Sequence, residues 1–351
     1  MTTGTILLQA VRVLGLSMLA FVIAMSITPL VIRIIERYGV KKQIRDAAQA
    51  PVFAKLHAGK AGTPNMGGIL IWATVLGLAL LLWGLSSIFN GFFSYLSFVD
   101  RAQTYLPLFA MFVAAMVGLL DDVLNARRIG PRGGGLSMKT RIFGHLVLAL
   151  AGALWFYFKL DWDALSIPFV GSVVVGWWYI PIFIFVIVAT AFSANETDGL
   201  DGLAGGVMLF AYVALTVVAF ALGRFDLAAM SAVVIGALLA FLWFNIYPAR
   251  FFMGDNASMS LGITIGVIAM LTDTTLLLPL FVPIFVIESG SVIIQLLSKR
   301  FRGKKIFLST PIHHHFEALG WHESKVTMRF WIVSIISVTL GIVIFFLNRF
   351  L

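Results

Sequence analysis

The chain has 351 residues, 60% of them hydrophobic and 12% charged, with a mean hydropathy of +0.99, a balance that excludes an ordinary water-soluble domain and makes the lipid bilayer its solvent. Its net charge of +9 arises from 25 Lys+Arg against 16 Asp+Glu, and the basic residues lie in clusters between apolar runs, a placement that argues against a nucleic-acid partner. Cysteine is absent, so disulfides and thiolate metal sites are excluded and only oxygen and imidazole ligands are on offer.

Apolar runs of about 17 to 25 residues can cross the hydrocarbon core as helices. Candidates lie at 14–35, 66–85, 104–120, 142–158, 178–194, 203–222, 227–246, 257–272, 276–297 and 329–348. The first lacks the basic region, short apolar core and small-residue cleavage site of a signal peptide, so it is expected to be a retained span. Between the fourth and fifth runs, LDWDALSIPFVGSVVV at 160–175 alternates β-branched residues with Pro and Gly turn signals and predicts a short hairpin outside the membrane. With no internal repeat or low-complexity tract, the expectation is one all-α polytopic membrane domain over 1–351, with about ten transmembrane helices.

Lys and Arg are enriched in cytoplasmic loops. Of the 25 basic residues, only Arg12, Arg101, Lys159, Arg224 and Arg349 fall on one side; all the others fall on the opposite side. The bias puts both termini outside and the loops after spans 1, 3, 5, 7 and 9 in the cytoplasm.

Those five loops also hold the chemistry. Asp121 and Asp122 end the third span in GLLDD, where adjacent carboxylates repel unless a cation intervenes; alone, they read equally well as a solvated helix end. The next loop, NETDGLDG, brings Asn195, Asp198 and Asp201, the two carboxylates three residues apart near one helical face. FFMGDN places Asp255 behind a glycine at the start of span 8, either as a ligand or as an N-cap. PIHHHF supplies His313, His314 and His315 beside a basic stretch. Zinc is a competing reading of the histidines, but consecutive residues point in different directions and the available partners are carboxylates, which favours Mg²⁺. Lys60 and Lys139 are membrane-flanking anchors or, taken together, phosphate counter-charges. Glu288 stands in the middle of span 9, where an ionisable group is costly unless it faces protein or water, and is expected to pair or bend that span.

In order, the motifs are GTPNMGG, GLLDD, GLSMK, NETDGLDGLAGG, FMGDNAS and KKIFLSTPIHHHFEALGW followed by VTMRFW. From about Lys60 to Trp331 the chain resembles the phospho-N-acetylmuramoyl-pentapeptide transferases, within the polyprenyl-phosphate N-acetylhexosamine-1-phosphate transferase superfamily. The aspartate pairs resemble the superfamily at large, and PIHHHFE beside a basic run resembles the muramoyl branch.

The resemblance implies a ten-helix enzyme of the bacterial inner membrane, homodimeric, with its active site on the cytoplasmic face. It would transfer phospho-MurNAc-pentapeptide from UDP-MurNAc-pentapeptide to undecaprenyl phosphate, giving lipid I and UMP. By motif match Asp255 would ligate Mg²⁺, and Asp121 and Asp122 would bind or deprotonate the lipid phosphate. Asn195, Asp198 and Asp201 would line the nucleotide site and Phe252 would stack on uracil. Lys60, Thr63, Lys139, Asn256 and His313 to His315 would contact phosphates or complete the pocket, with His314 counted among the catalytic groups. The chain departs from the pattern at Asn125, where a lysine usually follows DDxx, at Asn65 in place of threonine and at Ala257 in place of glycine. Arg127 or Arg128 is expected to supply the charge lost at 125. The lipid substrate must arrive laterally, which predicts an apolar groove with span 9, carrying Pro279, Pro283 and Gly290, as a wall. Rival readings are a sibling transferase acting on another UDP-sugar and a transporter; the acids lie at loop mouths on one face instead of at the midplane, which disfavours the transporter.

Overall fold

A computed structural model of the chain describes residues 2–37, 62–131 and 134–350. Its long helices are α1 (Thr3–Arg37), α2 (Ile69–Ile88), α4 (Tyr105–Ala126), α5 (Met138–Lys159), α6 (Tyr179–Thr197), α7 (Leu203–Ala221), α8 (Phe225–Asn245) and α13 (Glu323–Phe350), with a short α3 (Phe92–Leu96) after α2. Among the described residues these eight long helices, α6 counted with the single turn before it, are long and apolar enough to cross a membrane. The expected all-α polytopic architecture is therefore observed.

Two of the ten expected spans take other forms. The run at 257–272 becomes α9 (Asp255–Leu271), whose 17 residues reach only about 25 Å at the rise of an α-helix, short of the roughly 30 Å hydrocarbon thickness. Every residue of α9 from Asn256 to Leu271 is buried, so it is wrapped by protein and has no lipid boundary to match. The run at 276–297 breaks: the segment Thr275–Phe281, which ends in α10 (Leu278–Phe281), meets α11 (Pro283–Arg302) at 87°. Pro283 has no N–H to continue the ladder and starts α11, while Val282 before it leaves the helical region at φ −129°, ψ 54°.

Packing is centred on α9, which lies against α4 on one side and α6 on the other. Glycines set those distances. A Cβ at Gly262 would lie 2.6 Å from both the Thr190 carbonyl and the Ala194 Cβ of α6, and one at Gly118 of α4 would collide with the Asp255 carbonyl. Small residues thus let three backbones approach, the usual currency of helix association in lipid. Outward, α1 and α13 turn apolar side chains such as Met18 (71% exposed) and Ile336 (65%) toward the bilayer, and α1 packs along α8, where Gly236 abuts the Ser17 carbonyl.

The predicted hairpin is present as β1 (Ala164–Ile167) and β2 (Gly171–Val174), antiparallel, with Leu165 opposite Val173. It is tethered by Ser166 N–H to Asp273 Oδ1 at 2.9 Å and by Phe169 N–H to Asn348 Oδ1 at 2.6 Å. Burial pushes the Asp273 carboxyl above its ordinary range, opposed by that Ser166 bond and by the Arg224 guanidinium.

Gly236→Leu is expected to separate α1 from α8 and to destabilise the protein by about 1–3 kcal/mol or more, the usual cost of overpacking. Thermal unfolding of detergent-purified protein checks this, with Gly77→Ala, where a Cβ meets nothing within 4 Å, as the neutral control.

Candidate active site

Ser137 caps α5 by accepting from Thr140 N–H at 3.1 Å, which sets Arg141 about one turn into the helix. From there the guanidinium reaches two carboxylates: Nη2 lies 2.5 Å from Asp121 Oδ2 and Nη1 lies 2.8 Å from Asp255 Oδ2. Asp121 is buried near the end of α4 and also accepts from Leu136 N–H, so the glycine-rich loop before α5 closes over it. Asp255 is the first residue of α9, and its other oxygen accepts from Asn195 Nδ2 at 2.7 Å, at the end of α6. Segments from residues 121 to 255 thereby meet at one end of the bundle.

Asp122 does different work. α9 has no side-chain cap of its own, because Gly254 precedes it at φ 80°. Asp122 takes that role from a neighbouring helix, accepting from Asp255 N–H at 3.2 Å, Asn256 N–H at 3.0 Å and Asn256 Nδ2 at 2.8 Å. Its charge sits on the positive end of the α9 dipole. Asn65 Nδ2 adds a fourth bond at 3.2 Å, so the departure at 65 supplies a donor to the acid cluster. Asn256 is held in turn by Trp72 Nε1 at 2.9 Å. A Cβ at 254 would stand 2.8 Å from Asp122 Oδ2, which is why glycine precedes Asp255.

The strip around Pro64 to Gly68 docks on residues 252 and 253: Phe252 N–H bonds Pro64 O at 2.9 Å, and Gly67 and Gly68 N–H bond Phe252 O and Met253 O at 2.8 and 2.9 Å. Thr63 is half-buried just before this strip, and Phe252 is 5% exposed. Ala257 packs where a Cβ on Gly68 would go, so the extra methyl of this departure is accommodated by the glycine opposite.

In the loop after α6, Asp198 Oδ2 accepts from Gly254 N–H at 3.3 Å, directly beside Asp255. Asp201 is buried; its carboxylate accepts from Ala249 N–H at 3.0 Å and its carbonyl from Thr327 Oγ1 at 3.2 Å. The histidines lie on α12 (Ile312–Ala318) and diverge as consecutive residues must. His313 is fully buried, with Nδ1 3.0 Å from Glu288 Oε1 of α11, and its ring occupies the space a side chain at Gly199 would fill. His314 Nδ1 lies 2.7 Å from Glu317 Oε2, and His315 Nδ1 accepts from Leu308 N–H at 3.2 Å. Glu288 therefore pairs α11 with α12, while the sharp bend belongs to Pro283.

The geometry has hard oxygen donors in the right number for Mg²⁺, which takes one or two protein carboxylates and leaves its other positions to water and phosphate. Among the described residues no set of three Asp, Glu or His converges to hold an ion unaided. The donor set still fits such a cation, because Asp121 and Asp255 already share one positive group, and Asp255, 21% exposed against 2% for Asp121, is the member open to a ligand.

The model of glycosyl transferase family 4 matches residues 104–273, which include every acid of this cluster. The phospho-N-acetylmuramoyl-pentapeptide-transferase of Anoxybacillus flavithermus (strain DSM 21510 / WK1) is 38% identical over 327 residues, 93% of this chain and 95% of its own length. The protein of the same description from Geobacillus sp. (strain WCH70) is 37% identical over 343 residues, covering 96% of this chain and 99% of its own. The chain belongs to the phospho-N-acetylmuramoyl-pentapeptide-transferase family. A member from Chloroflexus aurantiacus (strain ATCC 29366 / DSM 635 / J-10-fl) is likewise 37% identical over 344 residues, 94% of this chain and 89% of its own.

For this family member the structure gathers Asp121, Asp122, Asn195, Asp198, Asp255 and Asn256 and sets His313 behind them against Gly199. Lys60 lies outside the described residues. Lys139 is exposed, and Arg127 and Arg128, expected to replace the missing lysine charge, are exposed at the end of α4; among the described residues the cation on the acids is Arg141. The signal for Arg141 was present in the sequence. It begins the stripe Arg141, His145, Ala149, Ala153 and Phe156, and the last four of these are the buried face of α5, whereas Lys139 sits about 200° around the helix from Arg141.

Arg141→Met is expected to lower turnover about 100-fold, the scale of losing one preorganised donor to developing charge, and Arg141→Lys to recover part of it. Initial rates of UMP release at saturating substrates read both. Glu288→Ala, which strands the buried His313, is expected to destabilise the protein by about 3 kcal/mol, with Glu288→Gln milder; thermal unfolding of the purified variants measures it.

Proposed function

We propose that the chain transfers phospho-MurNAc-pentapeptide from UDP-MurNAc-pentapeptide to undecaprenyl phosphate, giving lipid I and UMP, with Mg²⁺ at Asp255 and the reaction on the cytoplasmic face of the bacterial inner membrane. The observation that carries the reading is the meeting of Asp121 and Asp255 on Arg141, between chain segments far apart in sequence. The reaction brings two anions together, so its main demand is charge neutralisation and in-line positioning. A lipid phosphate oxygen forms a bond to the β-phosphorus of the UDP-sugar, and the bond from that phosphorus to the bridging oxygen breaks as UMP leaves. When bound, Mg²⁺ supplies Lewis-acid neutralisation of the phosphates. Arg141 orients Asp255 and faces the same opening, and Asn195 holds its second oxygen. The acceptor is largely ionised already, since a phosphate monoester has a second pKa of about 6, so no strong base is required, and Asp121 holds Arg141 in place beside the reacting phosphates.

Asp122 is assigned a positioning role, because four hydrogen bonds engage it and it fixes the start of α9. Asp198 and Asn195 border the nucleotide, and Asp201 secures the loop that carries them. His314 and His315, which follow the buried His313 at the start of α12, are assigned to completing the pocket.

A lateral route for the lipid is supported by a cavity of about 920 Å³ among α5, α6 and the broken span. Its wall includes Ile142 next to Arg141, Ser193 two residues before Asn195, and Pro279 and Ser289 across the break, so an isoprenoid chain in it would end beside the acids. The basic loops on this face and the sparse ones opposite support the cytoplasmic assignment.

Purified protein given UDP-MurNAc-pentapeptide, undecaprenyl phosphate and Mg²⁺ should release UMP and form the peptide-bearing lipid; chelation should abolish both. Asp255→Ala that remained active at saturating Mg²⁺ would refute the metal assignment, and product lacking the peptide would assign the chain to a sibling transferase.

A further inference from the structure

A second cavity, of about 520 Å³, lies between α4, α5, α6 and α9, and its lining is almost wholly apolar. It occupies the opposite ends of the helices that carry the acids. Phe109 lines it and Asp121 belongs to the cluster, twelve residues or about 18 Å farther along α4. Trp155 near the end of α5 and Val267 near the end of α9 agree with that placement, since Arg141 and Asp255 stand at the starts of those helices. The mouth is framed by Tyr105, Phe109 and Trp155, each 48% to 59% exposed, so it opens sideways to the bilayer.

Water is a poor occupant, because the walls offer it almost no polar partners. Left empty, the walls would lose dispersion contacts along their whole length. A hydrocarbon chain satisfies both conditions. One charged group stands at the rim: Arg101, exposed, four residues before the start of α4. Among the described residues it has no carboxylate partner. The neighbouring Asp100 is directed elsewhere, its Oδ2 accepting from Ala102 and Gln103 N–H at 2.9 Å each. An apolar slot ending at an unpaired guanidinium matches a lipid whose chain enters the slot and whose phosphate meets the cation.

We propose that this cavity is a phospholipid site, holding one acyl chain of an anionic phospholipid from the leaflet opposite the acid cluster, with its headgroup on Arg101. A polyprenyl phosphate is the wrong occupant, since its phosphate is needed at the other end of α4. The lipid fills the gap between the helices whose far ends present Asp121, Arg141 and Asp255, and so supports their spacing.

The test is native mass spectrometry of the detergent-purified protein titrated with phosphatidylglycerol or phosphatidylcholine of identical chains. It is paired with photolabelling by phosphatidylglycerol carrying a terminal diazirine. One phosphatidylglycerol is expected to bind about fivefold more tightly than phosphatidylcholine, whose ammonium cancels its phosphate charge, the scale of one arginine against a net anionic lipid. Arg101→Gln should bring the two lipids within twofold, and Ala151→Phe, at the exposed edge of the slot, should abolish labelling of Leu148 and Ile263. Monodispersity and thermal unfolding establish that each variant is folded. Equal affinity for the two lipids, selectivity that survives Arg101→Gln, labelling elsewhere, or displacement of the probe by equimolar undecaprenyl phosphate would each overturn the proposal.

Discussion

The architecture depends on how closely the backbone of α9 can approach α4 and α6. Gly118 on one side and Gly262 on the other remove the side chains that would hold these helices apart, and the sub-van der Waals distances a Cβ would meet there show how little room is left. Because α9 starts where that contact is tightest, Asp255 is delivered between Asp121 and Asn195. The site is therefore a by-product of helix packing at the core, and its geometry is as rigid as that packing.

Five acids in one region would repel, and the structure resolves this by giving them different partners. Asp122 is consumed by the N-terminus of α9 and by two asparagine side chains; Asp201 binds the backbone of the loop after α8; Asp198 meets the Gly254 amide. Asp121 and Asp255 are left facing one arginine. This division explains why a motif can carry more carboxylates than a metal needs: most of them hold peptide N–H groups where lipid or a closed protein interior would leave those groups unsatisfied.

The broken span shows the same economy of roles. Pro283 turns the chain by 87°, which exposes an apolar wall beside the acids, and the polar stripe Glu288, Ser291, Gln295 and Ser298 on α11 then needs buried partners. Glu288 takes His313, Gln295 takes the backbone at Ile306 and Phe307, and Ser298 takes the Lys304 carbonyl. The basic loop before the histidines is thereby fastened to the helix that shapes the groove.

Sequence by itself determined the solvent, the helices and most of the acids. Apolar run length fixed where helices form because bilayer thickness is a one-dimensional constraint, and Pro and Gly in 160–175 marked the hairpin because turns are local. It also pointed to Glu288 as a pairing residue, since a lone acid in a span must find a partner. Only the tertiary structure decided that α9 is enclosed by protein along its length, that Arg141 and not Lys139, Arg127 or Arg128 reaches the acids, and that His313 is a buried partner of Glu288. Each of these is a statement about which face of a helix meets which neighbour. Residues two apart on a helix point in nearly opposite directions, so the identity of a charge in a motif leaves its aim open until the neighbouring helix is in place.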